Sequence, residues 1–174
     1  MLTPEQEKWV AHLSDTDTIV IIPYDSNSEK KFEKLRATIR EQLGEAVQVE
    51  HHGASSLQIS GQDEIDVYIP VLATDFARLI PLLTKLFGPP KSQYPRERVR
   101  FQTRVDDKKI DVFLINEKSS SWLNSLLFER YLKTHPEALE TYRKLKENGN
   151  GINVREYYRR KIEFINEVVA RAKS

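Results

Sequence analysis

The chain predicts an α/β domain of the α+β kind, in which a mixed β-sheet is flanked by helices and followed by a C-terminal helical tail. Three observations carry this expectation. Between residues 18 and 87 the hydrophobic period switches from two to three-or-four and back, so strands interleave with helices. Arg98 to Val105 and Lys109 to Ile115 flank the polar Asp106-Asp107-Lys108, the pattern of an antiparallel hairpin. Beyond residue 117 the pattern is helical throughout. With 174 residues and short loops, one domain is expected over 1–174, its sheet core in 1–116 and its tail in 117–174.

The elements follow in order. Pro4 to Leu13 is a short leading helix, with Thr3 as cap and Pro4 at the first helical position, where a missing N–H does no harm. The β-branched run from Thr18 to Tyr24 predicts a buried strand. From Ser28, Phe32, Leu35, Ile39 and Leu43 form one helical stripe that stops at Gly44. Val47, Val49 and His51 alternate into a second strand that runs to Gly53, and Ile65, Val67 and Ile69 mark a third. Asp75 is placed to cap a helix carrying Phe76, Leu79, Ile80, Leu83 and Leu86, which Pro81 is expected to kink or divide. Gly88 to Pro95 is expected to be a long loop. Three tail helices fit Ser121 to Lys133, Pro136 to Asn148 and Asn153 to Ala172.

Composition narrows the function classes. With no cysteine there is no disulfide framework, thiolate zinc site or cysteine nucleophile. No apolar run approaches the ~20 residues of a membrane span, and Met1-Leu2-Thr3-Pro4 does not open like a signal peptide, so a cytoplasmic location is expected. Basic and acidic residues balance at 27 to 26, which disfavours general nucleic-acid binding. The balance is uneven, at 15 to 18 in residues 1–116 and 12 to 8 in residues 117–174. The tail therefore reads either as a solvated helical face or as positive charge offered to an anion.

Chemistry concentrates in His51-His52-Gly53-Ala54-Ser55-Ser56, in Glu64-Ile65-Asp66-Val67 and in Ile110-Asp111-Val112. Strand alternation puts Glu64 and Asp66 on one face, with Ile65 and Val67 on the other. Asp111, in the middle of an apolar strand, is costly to bury unless it is paired or holds a cation. It either pairs with Arg100 or Arg104 across the hairpin or joins Glu64 and Asp66. Three carboxylates together repel one another, and a hard cation such as Mg²⁺ or Mn²⁺ relieves that and bridges to a nucleotide phosphate. Gly53, Ser55 and Ser56 then offer N–H groups and hydroxyls to phosphate oxygens, or Ser55 and Ser56 simply cap a short helix. Alternation also sends His51 and His52 to opposite faces. Asp63 competes with Glu64 as the inward carboxylate. Lys146 and Lys161 reach a triphosphate from the tail as point charges or stay solvated, while Tyr142 and Tyr158 stack on a base or sit in the core.

This spacing resembles the nucleotidyltransferase superfamily signature, a glycine and a small residue followed by acidic-hydrophobic-acidic-hydrophobic and a third carboxylate on a neighbouring strand. The whole chain is similar to the GrpB family, small proteins with a nucleotidyltransferase-like fold. The likeness runs through Val20-Ile21-Ile22-Pro23-Tyr24-Asp25, Val49 to Ser56, Ile65-Asp66-Val67, Phe128 to Glu137, Tyr142 with Leu145-Lys146, and Tyr158 with Lys161. The chain departs from the family with Ala54-Ser55 where Ser-Thr is usual, Asp63-Glu64 for a Lys-Pro pair, Asp111 in place of a His-containing strand, and Glu129-Arg130 in reversed charge order. Two of these departures supply carboxylates the family lacks. The resemblance implies a metal-dependent nucleotidyltransferase-like protein that binds a nucleoside triphosphate. On that reading Glu64, Asp66 and Asp111 are catalytic and metal-holding, and Gly53, Ser55, Ser56, Lys146 and Lys161 bind nucleotide. The alternative is a non-catalytic module that keeps the fold to bind a nucleotide or a protein.

Overall fold

A computed structural model describes residues 1–174. The elements run α1 (Pro4–Ala11), α2 (Ser28–Leu43), β1 (Glu50–His52), α3 (Gly53–Ser56), β2 (Glu64–Val71), α4 (Phe76–Phe87), β3 (Ser92–Tyr94), β4 (Arg98–Val105), β5 (Lys108–Asn116), α5 (Ser120–Thr134), α6 (Pro136–Glu147) and α7 (Val154–Lys173). The strands form one mixed sheet in the order β1-β2-β5-β4-β3, with β2 and β5 parallel and the other neighbours antiparallel. The chain divides into a sheet unit, Tyr24–Ile59 with Asp63–Leu123, and a helical unit, Met1–Pro23 with Ser60–Gln62 and Asn124–Ser174. No helix is long and apolar enough to cross a membrane.

In the sheet unit the period-two pattern sorts side chains onto two faces. Ile65, Val67 and Ile69 of β2, Ile110, Val112 and Leu114 of β5, and Val99 and Phe101 of β4 are all fully buried. They form one core with Phe32, Leu35 and Ile39 of α2 and Phe76, Leu79 and Leu83 of α4. The α2 stripe ends where Gly44 takes φ +108°, a region glycine enters without steric cost. Asp106 and Asp107 both take positive φ, 48° and 64°, as a two-residue hairpin turn matched to strand twist requires.

Four expectations are corrected. Thr18 to Tyr24 is not a sheet strand but an extended segment with isolated bridges, Thr18 to Asn153 and Ile22 to Gly61, and Val20 is 66% exposed. Its polar groups are met elsewhere: Ile19 N–H donates to the Ile152 carbonyl and Ile21 N–H to Asn150 Oδ1. Of the two outcomes expected of Pro81, a kink or a division, division does not occur: α4 runs unbroken from Phe76 to Phe87 with Pro81 inside it. The Ala77 carbonyl that Pro81 deprives of a donor belongs to an exposed residue, so the lost hydrogen bond is open to solvent rather than buried. Asp75 makes no side-chain cap; a 3-10 turn at Ala73–Asp75 leads into α4, and its carboxylate instead accepts from Arg78. The stretch expected to be only loop holds β3, which pairs through Ser92, Gln93 and Tyr94 with Arg100, Val99 and Arg98.

The helical unit follows its capping signals. Thr3 and Gln6 close a reciprocal capping box on α1, and the Asn153 side chain accepts from the Arg155 and Glu156 N–H groups at the start of α7. Tyr142 and Phe164 stack, Phe128 meets both rings edge-on, and Tyr157 is fully buried.

At the edge of the sheet unit, Asp25 accepts from Lys31 Nζ at 2.8 Å and from the Asn27 N–H at 2.9 Å, with Lys108 Nζ at 3.4 Å. The Lys31 hydrogen bond, then that of Asn27, holds its carboxyl down at about 2 from an ordinary 3.8. A depressed carboxylate stabilises the fold fully above its unfolded value and loses that contribution as pH falls through the folded one. Asp25→Asn is therefore expected to be less stable than wild type at neutral pH, with the gap closing between about pH 4 and pH 2. Urea melts over that range check it; a gap independent of pH would show that the ionised form is not what matters.

Candidate metal centre

The second face of the sheet is polar, and its layout follows from register. Glu64 pairs with Lys109, Asp66 with Asp111 and Tyr68 with Phe113 across β2 and β5. Across β5 and β4, Lys109 pairs with Arg104, Asp111 with Gln102 and Phe113 with Arg100. Registered partners share a face, so three carboxylates, three cationic side chains and two aromatic rings lie on one side of three adjacent strands. Glu64, Asp66 and Asp111 each bring a carboxylate oxygen within 4.8 Å of the other two.

Burial makes this cluster more than a surface accumulation of acid. Asp111 is only 5% exposed, and its Oδ1 is buried without a hydrogen-bond partner. Its Oδ2 lies 3.7 Å from both Arg100 Nη1 and Lys109 Nζ, too far for a hydrogen bond. A buried acceptor left unmade costs about 1–3 kcal/mol, and more when charged. Arg100 Nε is likewise buried and unpartnered. Lys109 Nζ donates to Glu64 Oε2 at 3.0 Å. Partial burial pulls the Lys109 pKa down, but Glu64 and Asp111 outweigh it and the net shift is upward, so Lys109 stays charged. These donors match a hard cation, which prefers oxygen ligands and relieves the repulsion among carboxylates.

The Gly53 turn is built against the cluster. Gly53 takes φ +79°, and a Cβ at this position would stand 2.5 Å from Asp66 Oδ2. Ser55 is buried in α3 and hydrogen-bonded to His51 Nε2 at 2.8 Å, while His51 Nδ1 meets Glu29 Oε2 at 2.9 Å. The two ring nitrogens thus engage α2 and α3 at once, which ties α3 to β1 and α2. Ser56 is half-buried in the same short helix. Alternation separates the two histidines. His51 stacks on Phe32 of α2, and His52, in register with Asp66, lies against Tyr68 and Trp122 and bonds to Glu50 Oε2.

Of the other residues marked in the sequence, Asp63 takes φ +60° and turns its carboxylate to Lys108, leaving Glu64 in the cluster. Lys146 and Lys161 lie in the helical unit. Lys146 is 4% exposed, donates to Tyr157 Oη at 3.4 Å and sits over the Tyr142 ring; Lys161 sits over Tyr158. Sequence reasoning missed Lys109, although the same alternation that aligned Glu64 with Asp66 aligns Lys109 with Asp111. It also missed the aromatic stack of Tyr68 on Phe113 and Trp122, with centroids 4.7 and 5.3 Å apart. The signal there was an aromatic residue two places beyond each strand aspartate.

With this geometry in place, comparison with known proteins identifies relatives. A family model described as GrpB protein matches residues 18–171. The crystal structure of a conserved GrpB protein from Enterococcus faecalis is similar with a TM-score of 0.69 and 19% identity, covering 88% of this chain and 96% of that one, a likeness of fold. A structure of the Cid1 poly(U) polymerase is similar at a TM-score of 0.47 and 13% identity, over 89% of this chain and 53% of that one. Among curated proteins there is no match.

Proposed function

We propose, for a chain that belongs to the GrpB family, a function carried by the Glu64, Asp66 and Asp111 carboxylates: metal-dependent binding of a nucleoside triphosphate, with nucleotidyl transfer to an acceptor hydroxyl. The observation that carries this reading is the buried, unpartnered Asp111 Oδ1 inside a trio of carboxylates. Such an atom is explained by a ligand that completes it. The three carboxylates would hold Mg²⁺ or Mn²⁺, which would supply charge screening of the phosphates and so favour attack at the α-phosphorus.

The residues of the chain do the rest. Arg100, with its spare Nε, and Lys109 flank the carboxylates on the same face and give the phosphates cationic neighbours. Asp111 orients the acceptor hydroxyl and takes its proton as the new oxygen–phosphorus bond forms; the bond between the α-phosphorus and its bridging oxygen breaks, and pyrophosphate leaves. Gly53 keeps the turn low enough for Asp66 to stay in the trio. A second reading, a non-catalytic module that binds a nucleotide or protein, is favoured by the Lys109–Glu64 ion pair, which partly neutralises the trio from within.

Calorimetric titration of ATP, GTP, CTP and UTP, each with and without Mn²⁺, into wild type and Asp66→Asn tests the proposal. Binding that needs Mn²⁺ and weakens at least tenfold in Asp66→Asn is the expected result. Absence of binding by every nucleotide in the presence of Mn²⁺ would sink it, and binding indifferent to Mn²⁺ and to the substitution would favour the module.

A further inference from the structure

The charge on the polar face points to a particular cation count. Glu64, Asp66 and Asp111 carry three negative charges within 4.8 Å of one another. Lys109 leaves β5 directly opposite Glu64 and two residues before Asp111, so its arm rises on the same face between them. Its ammonium is hydrogen-bonded to Glu64 Oε2 at 3.0 Å and lies 3.7 Å from Asp111 Oδ2, so one cation stands between carboxylates of two strands. Asp111 Oδ1 is left without a partner.

We infer that Lys109 is a built-in cation that takes the place of a second metal ion, so that the centre accepts one divalent ion per chain. This rests on the metal-dependent reading above and deepens it. With the Lys109 ammonium 3.0 Å from Glu64 and Arg100 3.7 Å from Asp111, one divalent ion already more than balances the three carboxylates, and a second would leave a large excess of positive charge. A second divalent ion in a paired site sits about 3.5–4 Å from the first. Between Glu64 and Asp111 it would meet the Lys109 ammonium at close range, where like charges repel strongly. The ion that does bind uses the remaining oxygens, Asp111 Oδ1 among them.

Mn²⁺ alone is the probe, titrated into the full chain and followed by calorimetry and by the electron paramagnetic resonance of bound Mn²⁺, with wild type, Lys109→Met and Lys109→Arg compared. Wild type and Lys109→Arg should saturate at one ion with a mononuclear spectrum. Lys109→Met should take up a second ion and show coupling between the two. In EDTA, Lys109→Met should also melt below wild type, because the trio has lost its internal counter-ion, and Mn²⁺ should restore it. Two ions in wild type would overturn the role of Lys109 while leaving the metal centre standing. One ion of unchanged affinity in Lys109→Met would do the same. No ion in any of the three proteins would overturn the metal-dependent reading itself and this inference with it.

Discussion

Replacing Gly53 with alanine should disable the centre at a modest cost in stability. Two effects separate cleanly at this residue. Its φ of +79° is one that a residue with a Cβ adopts at a cost of about 1–2 kcal/mol. Its Cβ would also stand 2.5 Å from Asp66 Oδ2, with Asp66 Cγ at 3.4 Å. Asp66 can relieve that contact only by swinging its carboxylate away, and the carboxylate is what the trio requires. Gly88 provides the control, because it has φ +80° and nothing within 4 Å of where a Cβ would stand. Gly88→Ala and Gly53→Ala should therefore both lower the melting temperature, by at least about 2–8 °C for a chain of this size. Only Gly53→Ala should lose Mn²⁺ affinity, by tenfold or more. Equal Mn²⁺ affinity in the two variants would show that the turn does not set the position of Asp66.

The sheet was legible because its signals are local. Alternation at Ile65, Val67 and Ile69, and the hairpin through Asp106 and Asp107, are facts about neighbouring residues, and both appear in the structure as β2, β4 and β5. The stripe of α2 and its stop at Gly44 were equally plain. The run Ile19 to Ile22 misled because strand propensity says nothing about whether a neighbouring strand is there to pair with it. Its hydrogen bonds come instead from distant residues such as Asn150 and Ile152.

At the centre, Glu64 and Asp66 could be aligned from one strand, but bringing Asp111 beside Asp66 needs the parallel register of β2 with β5. That register spans more than forty residues of sequence, which no local period encodes. The same limit hid Lys109. A lysine at the start of a strand reads as a solvated charge until the strand opposite is known to place Glu64 against it. Once that pairing is seen, the acidic trio stops being an isolated cluster and becomes one half of a charge arrangement.

Asp111→Asn should be more stable than wild type without metal and less stable with it. In EDTA the carboxylate is 5% exposed, has one oxygen with no partner and faces Asp66 and Glu64. Its cationic neighbours are 3.7 Å away, so no hydrogen bond is lost with the charge; Arg100 and Lys109 keep 34% and 39% of their side chains exposed, and the buried Arg100 Nε has no partner to lose. The amide relieves like-charge repulsion and a buried ion's desolvation, and a gain of about 1 kcal/mol is expected. Metal reverses the sign. An ion that binds only the folded state at one hundred times its dissociation constant adds about 2.7 kcal/mol to wild type, and a weakened ligand set forfeits most of it. The two denaturation curves should therefore exchange order between EDTA and saturating Mn²⁺. A structural carboxylate has no reason to do this: if Asp111 served only to hold Arg100, Asp111→Asn would be the less stable protein under both conditions, and an unchanged order would remove Asp111 from the metal centre.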